Sequence, residues 1–246
     1  MSEMIFFREL GAGPPLLLIH GLLVNGAMFD PILPLLTSHY RVMLPDLCGH
    51  GQSGRLPPPY TVQRHVADLV VLLDRLGVEQ AAVLGYSQGG TVAQQLAHCH
   101  PDRVNRLILV CTYAYNLLTW RERLEGWLMP WLVRLLGLRR LAGVMAGQAR
   151  ELTSQQAAEL QEMIAANEKR PSLAAIKALQ VFDSRPWLHE ISVPTLVIAG
   201  EQDNAVPLHH ARMLSQAIPN AALRTVPAGH TLIWTHPEQL VALILA

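Results

Sequence analysis

The 246-residue sequence has few cysteines, no excess of charge of either sign and no long hydrophobic run. Its three cysteines are an odd number without C-x-x-C spacing, which indicates neither a disulfide framework nor a cysteine metal site. The 19 basic and 19 acidic residues balance, so the chain offers no concentrated positive surface to a polyanion. We therefore expect no nucleic-acid partner.

The apolar stretches of the chain are short. Those at 16–19 and 107–110 are flanked by Pro, Gly or Arg and fall far below the ~20 residues that cross a bilayer. Residues 1–9 lack the basic start and apolar stretch of a secretory signal. These patterns favour a cytoplasmic location and no membrane partner. With 50% hydrophobic and 15% charged residues, the chain is expected to form one large globular domain.

Strand-length apolar runs alternate with helix-patterned segments along most of the chain. Because the runs are continuously apolar rather than alternating, they indicate parallel strands that are buried on both faces. The pattern predicts an α/β fold with a mostly parallel sheet and helices on both faces. Strands are predicted at 16–19, 41–44, 82–84, 107–111, 195–199 and 222–226, and helices at 62–76, 88–97, 207–217 and 237–245.

The segment from 113 to 191 breaks this alternation, since it has helical stretches but no convincing strand. We interpret it as a helical insert, with residues 1–112 and 192–246 forming the main unit. Large apolar side chains in such helices either pack the insert onto the main unit or line a substrate pocket. The candidates for substrate binding are four tryptophans, Trp120, Trp127, Trp131 and Trp187.

The most informative motif is Gly85-Tyr86-Ser87-Gln88-Gly89, a G-x-S-x-G between an apolar strand and a helix-like segment. A serine on a sharp strand-to-helix turn exposes its hydroxyl, and the helix N-terminus below it favours developing negative charge. The flanking glycines keep the tight turn free of side chains. We predict that Ser87 is a nucleophile.

A serine nucleophile needs a base, and the base needs an acid that orients it. Asp203 follows the predicted strand 195–199, and His230 follows 222–226. Loops beyond the carboxyl ends of parallel strands meet at one edge of the sheet. We therefore predict Asp203 as the acid and His230 as the base, while Glu201 stays open as an alternative acid.

An oxyanion that forms on a substrate carbonyl needs hydrogen-bond donors. The backbone amide of Gln88, next to the nucleophile, is one candidate, and the amide of Leu22 in the loop after the first apolar run is the other. We interpret the His20 side chain as a structural group that orients this loop.

The other histidines show no zinc-type spacing such as H-E-x-x-H, so we expect no metal and no cofactor. His209 and His210 lie at a predicted helix start and are expected to face solvent. Cys111 lies within a strand-like run and is expected to pack in the core.

Together these motifs resemble the α/β-hydrolase superfamily over essentially the full chain. Besides the segment 85–89, the resemblance rests on the His20-Gly21 loop, the turn at 46–53, the loop at 200–207 and Gly229-His230. It implies a three-layer fold with an eight-stranded type of core, an abbreviated first strand and a helical cap inserted after the sixth strand. It also implies that the nucleophile, acid and base occur in this chain order.

The resemblance implies a serine hydrolase, because relatives such as dehalogenases and epoxide hydrolases use aspartate where this chain has Ser87. We expect cleavage of small-molecule carboxylic esters with small to medium apolar acyl groups, through an acyl-enzyme. Lactonase, carbon–carbon bond hydrolase, cofactor-free perhydrolase and acyltransferase remain alternatives, as does a receptor without turnover. The sequence leaves the oligomeric state open.

Overall fold

The computed structural model describes residues 5–246. The expectations for residues 1–9 and 1–112 therefore begin in a segment, 1–4, that lies outside the described residues. The strands that the structure describes are β1 (Phe7–Leu10), β2 (Pro15–Ile19), β3 (Arg41–Pro45), β4 (Ala81–Tyr86), β5 (Val104–Val110), β6 (Thr195–Gly200) and β7 (Ala221–Val226).

The strands form one sheet in the order β1-β3-β2-β4-β5-β6-β7. Strand β1 runs antiparallel to β3, and every other neighbouring pair is parallel. The mostly parallel sheet confirms the prediction from continuous apolar runs, and all six residues of both β4 and β6 are buried. The sequence does not predict β1, because this short edge strand is half exposed and carries no apolar run.

Helices cover both faces of the sheet. The α-helices of the described chain are α1 (Leu33–Leu36), α2 (Val62–Arg75), α3 (Gln88–Cys99), α4 (Trp120–Gln148), α5 (Ser154–Ala165), α6 (Lys169–Val181), α7 (Leu208–Ala217), α8 (Leu232–Thr235) and α9 (Pro237–Leu245). Within residues 5–246, none of them has both the length and the hydropathy to span a bilayer.

Successive residues of each inner strand point to opposite faces, which gives the domain two buried apolar clusters. Leu17 joins the cluster under α2, α3 and α7, and its neighbour Leu18 joins the cluster under α1 and α9. Burial of both faces in this way produces the predicted three layers.

The helices α4, α5 and α6 are inserted between β5 and β6. The insert follows the fifth of the seven strands in the described part of the chain. Helix α4 is broken at Gly137, where φ is 71°. Buried side chains of the insert, including Val133, Leu141 and Ile164, join the apolar cluster around α1 and α9. These side chains anchor helices α4 and α5 of the insert on the core.

Candidate active site

Ser87 occupies the turn between β4 and α3 in a conformation that non-glycine residues rarely adopt, with φ 53° and ψ −117°. Three hydrogen bonds hold it there. Its amide donates to the Val110 carbonyl at 2.9 Å, and its own carbonyl accepts from the Gly90 amide at 2.9 Å and the Thr112 hydroxyl at 2.6 Å. The strained turn is therefore fixed from both sides.

The glycines of this turn are required by close backbone approach. A Cβ atom at Gly89 would overlap the carbonyl of Ile19 in the neighbouring strand. A Cβ atom at Gly90 would overlap the side chain of Thr112. Side chains at these two positions would therefore crowd the turn, as the motif predicts.

The structure brings Ser87, His230 and Asp203 together. The Nε2 atom of His230 lies 3.2 Å from the Ser87 hydroxyl oxygen, and its Nδ1 lies 2.7 Å from Asp203 Oδ2. The other carboxylate oxygen of Asp203 accepts from the amides of Ala205 at 2.9 Å and Val206 at 2.7 Å. The acid is thus held by its own loop, and the imidazole bridges it to the hydroxyl.

Glu201, the alternative acid, is exposed and makes a different contact. It accepts a 2.7 Å hydrogen bond from the hydroxyl of Thr225. The geometry therefore favours Asp203 as the partner of His230.

The electrostatics of His230 result from opposing effects. Burial is the largest and disfavours the charged ring, but the negative charge of Asp203 and its hydrogen bond outweigh it, so the pKa of His230 is raised above 6.5. The Tyr86 hydroxyl donates to the His230 carbonyl, and the Tyr86 ring lies edge-on to the imidazole at 5.8 Å. These contacts fix the ring that faces the serine.

Two backbone amides in and near the serine turn lack an internal partner among the described residues. Among residues 5–246, neither the Leu22 amide nor the Gln88 amide donates to a protein acceptor. Gly21 brings the first loop close, since a Cβ atom there would lie 3.5 Å from the Ser87 Cβ. Both predicted oxyanion donors are thus unpaired on loops that meet at the serine.

The loop that carries Leu22 is oriented by His20. The buried His20 ring accepts from the Leu47 amide through Nε2 at 2.9 Å and donates to the Gly21 carbonyl through Nδ1 at 2.8 Å. Burial lowers the pKa of His20 to about 4, so the ring is neutral and can both donate and accept. This arrangement fits the structural role expected for it.

A model of the alpha/beta hydrolase fold family matches residues 14–237 of the chain. The chain belongs to the α/β-hydrolase family. It is similar to the pimeloyl-[acyl-carrier protein] methyl ester esterase of Aeromonas hydrophila subsp. hydrophila, with 32% identity over 96% of this chain and 96% of the esterase.

Solved structures resemble this α/β-hydrolase along the same length. A hydrolase from Pseudomonas aeruginosa PA01 has a TM-score of 0.89 and 32% identity, covering 97% of this chain and 92% of that one. The enol-lactonase from Burkholderia xenovorans LB400 has a TM-score of 0.86 and 27% identity, covering 98% of this chain and 95% of that one. These likenesses extend across both the sheet and the insert.

Three of the four tryptophans predicted to bind substrate face solvent in this α/β-hydrolase. The exposed fractions are 77% for Trp120, 63% for Trp127 and 49% for Trp131. The three share one stripe of α4, at spacings of seven and four residues. Their exposure does not show what they contact, so substrate binding by these three rings stays a prediction. Helical periodicity shows which residues share a face but not which way that face turns.

The fourth tryptophan, Trp187, is occupied in packing. Its ring stacks on His98 at 4.4 Å between centroids and meets Phe182 edge-on at 6.2 Å. It joins the apolar cluster under α2, α3 and α7. These contacts support the interpretation that Trp187 packs the insert onto the core.

Two residues near the acid have surroundings that the sequence does not reveal. Cys111 follows β5 with φ 48°, and its sulfur lies within 4.8 Å of the Asp203 carboxylate. His210 was expected to face solvent, but it is buried, because α7 packs against the start of the insert and Tyr113 tilts onto the ring. The surroundings of Cys111 and His210 are formed by segments that are distant in the sequence, so no local sequence pattern predicts them.

One further residue links the insert to the Leu22 loop. The side-chain amide of Asn167 donates to the Leu23 carbonyl at 2.7 Å, and Leu23 has φ 62°. Asn167 lies between α5 and α6 and has no motif that marks it in the sequence. Through this bond the insert supports the loop that carries a predicted oxyanion donor.

Proposed function

We propose that this α/β-hydrolase is a serine esterase that cleaves small-molecule carboxylic esters with small to medium apolar acyl groups. The observation that carries the proposal is the relay from Ser87 through His230 to Asp203, with distances of 3.2 and 2.7 Å. The same relay recurs on several unrelated folds in enzymes whose serine attacks an acyl carbon.

In the first half-reaction, the Ser87 oxygen attacks the ester carbonyl carbon while His230 Nε2 accepts the hydroxyl proton. Negative charge passes to the carbonyl oxygen, where the unpaired amides of Leu22 and Gln88 donate hydrogen bonds. The intermediate then expels the alcohol, which takes the proton from His230. Asp203 stabilises the imidazolium ring throughout. The products are a free alcohol and an acyl group on Ser87.

Water completes the cycle. It replaces the alcohol, loses a proton to His230 and attacks the acyl carbon. Collapse of the second intermediate returns the proton to Ser87 and releases the acid. Each proton that leaves a hydroxyl is thus returned, and no cofactor is required.

The insert supports an apolar acyl group. We propose that residues 113–191 act as a cap over the serine, with 1–112 and 192–246 as the hydrolase core. Three methionines of the insert, Met129, Met145 and Met163, are partly buried against a core cluster, and we propose that they border the space for the acyl group. Flexible, polarisable methionines suit an acyl chain better than a charged group.

A lactone is the second candidate substrate. A lactone is a cyclic ester and reacts by the same steps, and the enol-lactonase from Burkholderia xenovorans LB400 matches 98% of this chain. The methyl ester esterase of Aeromonas hydrophila supports an open-chain ester. The chemistry of Ser87 is common to both substrates, so the choice between them depends on the shape of the cap.

A substrate panel tests this proposal. We expect multiple turnovers on p-nitrophenyl esters, with kcat/KM rising by up to about tenfold per methylene until the acyl pocket is filled, and then falling. In the second arm, lactones whose rings hold as many carbons as the best acyl chain are tested, and their hydrolysis is measured by the release of acid. A single stoichiometric event without release would indicate a receptor instead, and cleavage of neither ester nor lactone would contradict the proposal.

The pH dependence of kcat/KM follows from His230. The ring must be neutral to accept the serine proton, and its pKa is raised above 6.5, so activity should fall as the pH drops through that raised value. We expect the acidic limb of the profile to have a midpoint above pH 6.5 in the wild type and in Glu201→Gln. A midpoint clearly below 6.5 would mean that Asp203 does not hold the charged ring as described.

A further inference from the structure

Two histidines and one glutamate meet where the insert joins the core. Glu122 lies in the first turn of α4, and His209 and His210 lie in the first turn of α7. The Oε1 atom of Glu122 is 3.0 Å from Nε2 of His209 and 3.0 Å from Nε2 of His210. Three nitrogen and oxygen donors from segments 87 residues apart therefore converge on one point.

One of the three donor atoms, His209 Nε2, has no hydrogen-bond partner among the described residues. His210 Nε2 is aligned with the Glu122 carboxylate, but His209 Nε2 is buried and has no hydrogen-bond partner among the described residues, despite its 3.0 Å distance to the same oxygen. A buried nitrogen without a partner is unfavourable, because it has lost its water. A group that accepts its lone pair would remove that cost.

The glutamate is positioned as a ligand by a separate contact. Its Oε2 atom accepts the Thr119 amide at 2.8 Å in the capping box of α4, which leaves Oε1 directed at the histidines. A carboxylate oxygen and imidazole nitrogens are donor atoms that bind metals.

We propose that Glu122, His209 and His210 form a binding site for a divalent zinc ion. Two imidazole nitrogens and one carboxylate oxygen are a donor set that Zn²⁺ uses, at about 2.0–2.2 Å each. Tetrahedral ligands at that range lie about 3.3 Å apart, close to the 3.0 Å separations found here. The ion also satisfies the unpartnered nitrogen of His209.

The burial of the three side chains suits an ion that enters from one side. The exposed fraction is 2% for the His210 side chain, 11% for Glu122 and 42% for His209. His209 is therefore the side from which solvent comes nearest to the three donor atoms. Because Glu122 belongs to the insert and the histidines to the core helix α7, the bound ion links the insert to the core. We call the three ligands, Glu122, His209 and His210, the clasp.

A second cluster could compete for the ion. The donor atoms of Cys111, Asp203 and His230 also lie within 4.8 Å of one another. An experiment must therefore distinguish the proposed clasp from binding beside Ser87. The two clusters share no residue, so separate substitutions can do this.

The test is titration of the chelator-treated 246-residue protein with ZnCl₂ by calorimetry, followed by Co²⁺ absorption spectra. We expect one ion per chain at the clasp and a weakening of at least about tenfold in Glu122→Gln and in His209→Ala. Glutamine retains the capping-box contact with Thr119 but loses the anionic ligand, so helix α4 keeps its start. Zinc should raise Tm in the wild type and not in His209→Ala.

Two controls decide the location. His189→Ala removes an exposed histidine that also lies beside a glutamate, at 3.9 Å from Glu190, and should leave zinc binding unchanged. His230→Ala removes the competing cluster, and one clasp ion should remain. Absence of zinc binding in the wild type would overturn the proposal. Binding that survives both clasp variants and is lost in His230→Ala would also overturn it, by placing the ion at the serine.

Discussion

Replacing Ser87 with alanine is expected to lower kcat for p-nitrophenyl butyrate on the order of 10⁵-fold or more. The substitution removes the only atom that attacks the acyl carbon in the proposed mechanism, so neither an acyl-enzyme nor a burst of p-nitrophenol can form. Alanine keeps the Cβ atom that Ser87 already places at φ 53°, and the fold is expected to be retained. Stopped-flow absorbance at saturating ester measures both quantities.

Ser38→Ala is the matched control. The Ser38 hydroxyl is exposed and donates only a long bond to the Leu35 carbonyl at 3.4 Å. Its loss should leave the burst and the steady-state rate unchanged. If Ser87→Ala keeps the circular dichroism spectrum and turnover of the wild type, Ser87 is not the nucleophile.

Replacing Asp203 with asparagine is expected to lower kcat by about 10⁴-fold, the loss found when a triad aspartate becomes an amide. Asparagine is close in shape but neutral, so it can stabilise neither the imidazolium ring nor the tautomer with a proton on Nδ1. The amides of Ala205 and Val206 that now bind Oδ1 can still bind the asparagine oxygen. Steady-state kinetics of the folded variant give the ratio.

Glu201→Gln separates the two acids of this loop. Glu201 is exposed and its contact is with Thr225, so the same change of charge should cost less than about twofold in kcat. A larger loss in Glu201→Gln than in Asp203→Asn would reverse the assignment of the acid.

The central sheet could be predicted from the sequence because burial on both faces leaves continuous apolar runs, as in Leu16–Ile19 and Thr195–Gly200. The predicted loop positions of Asp203 and His230 follow from the same sheet, since parallel strands end at one edge. The glycine motif predicts the strained turn at Ser87 because its neighbours leave no space for a Cβ atom. The geometry of the three residues agrees with these predictions, while their chemical roles remain to be tested.

The sequence could not predict the features that depend on which way a surface turns or on contacts between distant segments. Trp120 and Trp127 follow a helical pattern, but the pattern does not show that their face points to solvent. The edge strand β1 has no apolar run to reveal it. The pairing of Glu122 with His210 joins residues 88 positions apart, so no local spacing marks it.

The most direct test of the central claim is to locate the acyl group on the protein. The wild-type enzyme is mixed with an excess of p-nitrophenyl ester, acid-quenched within milliseconds and examined by intact-protein and peptide mass spectrometry. The account predicts one acyl adduct per chain, on the peptide that contains Ser87, absent from Ser87→Ala. Turnover with the adduct on another residue, such as the nearby Cys111, or with no adduct at any quench time, would contradict it.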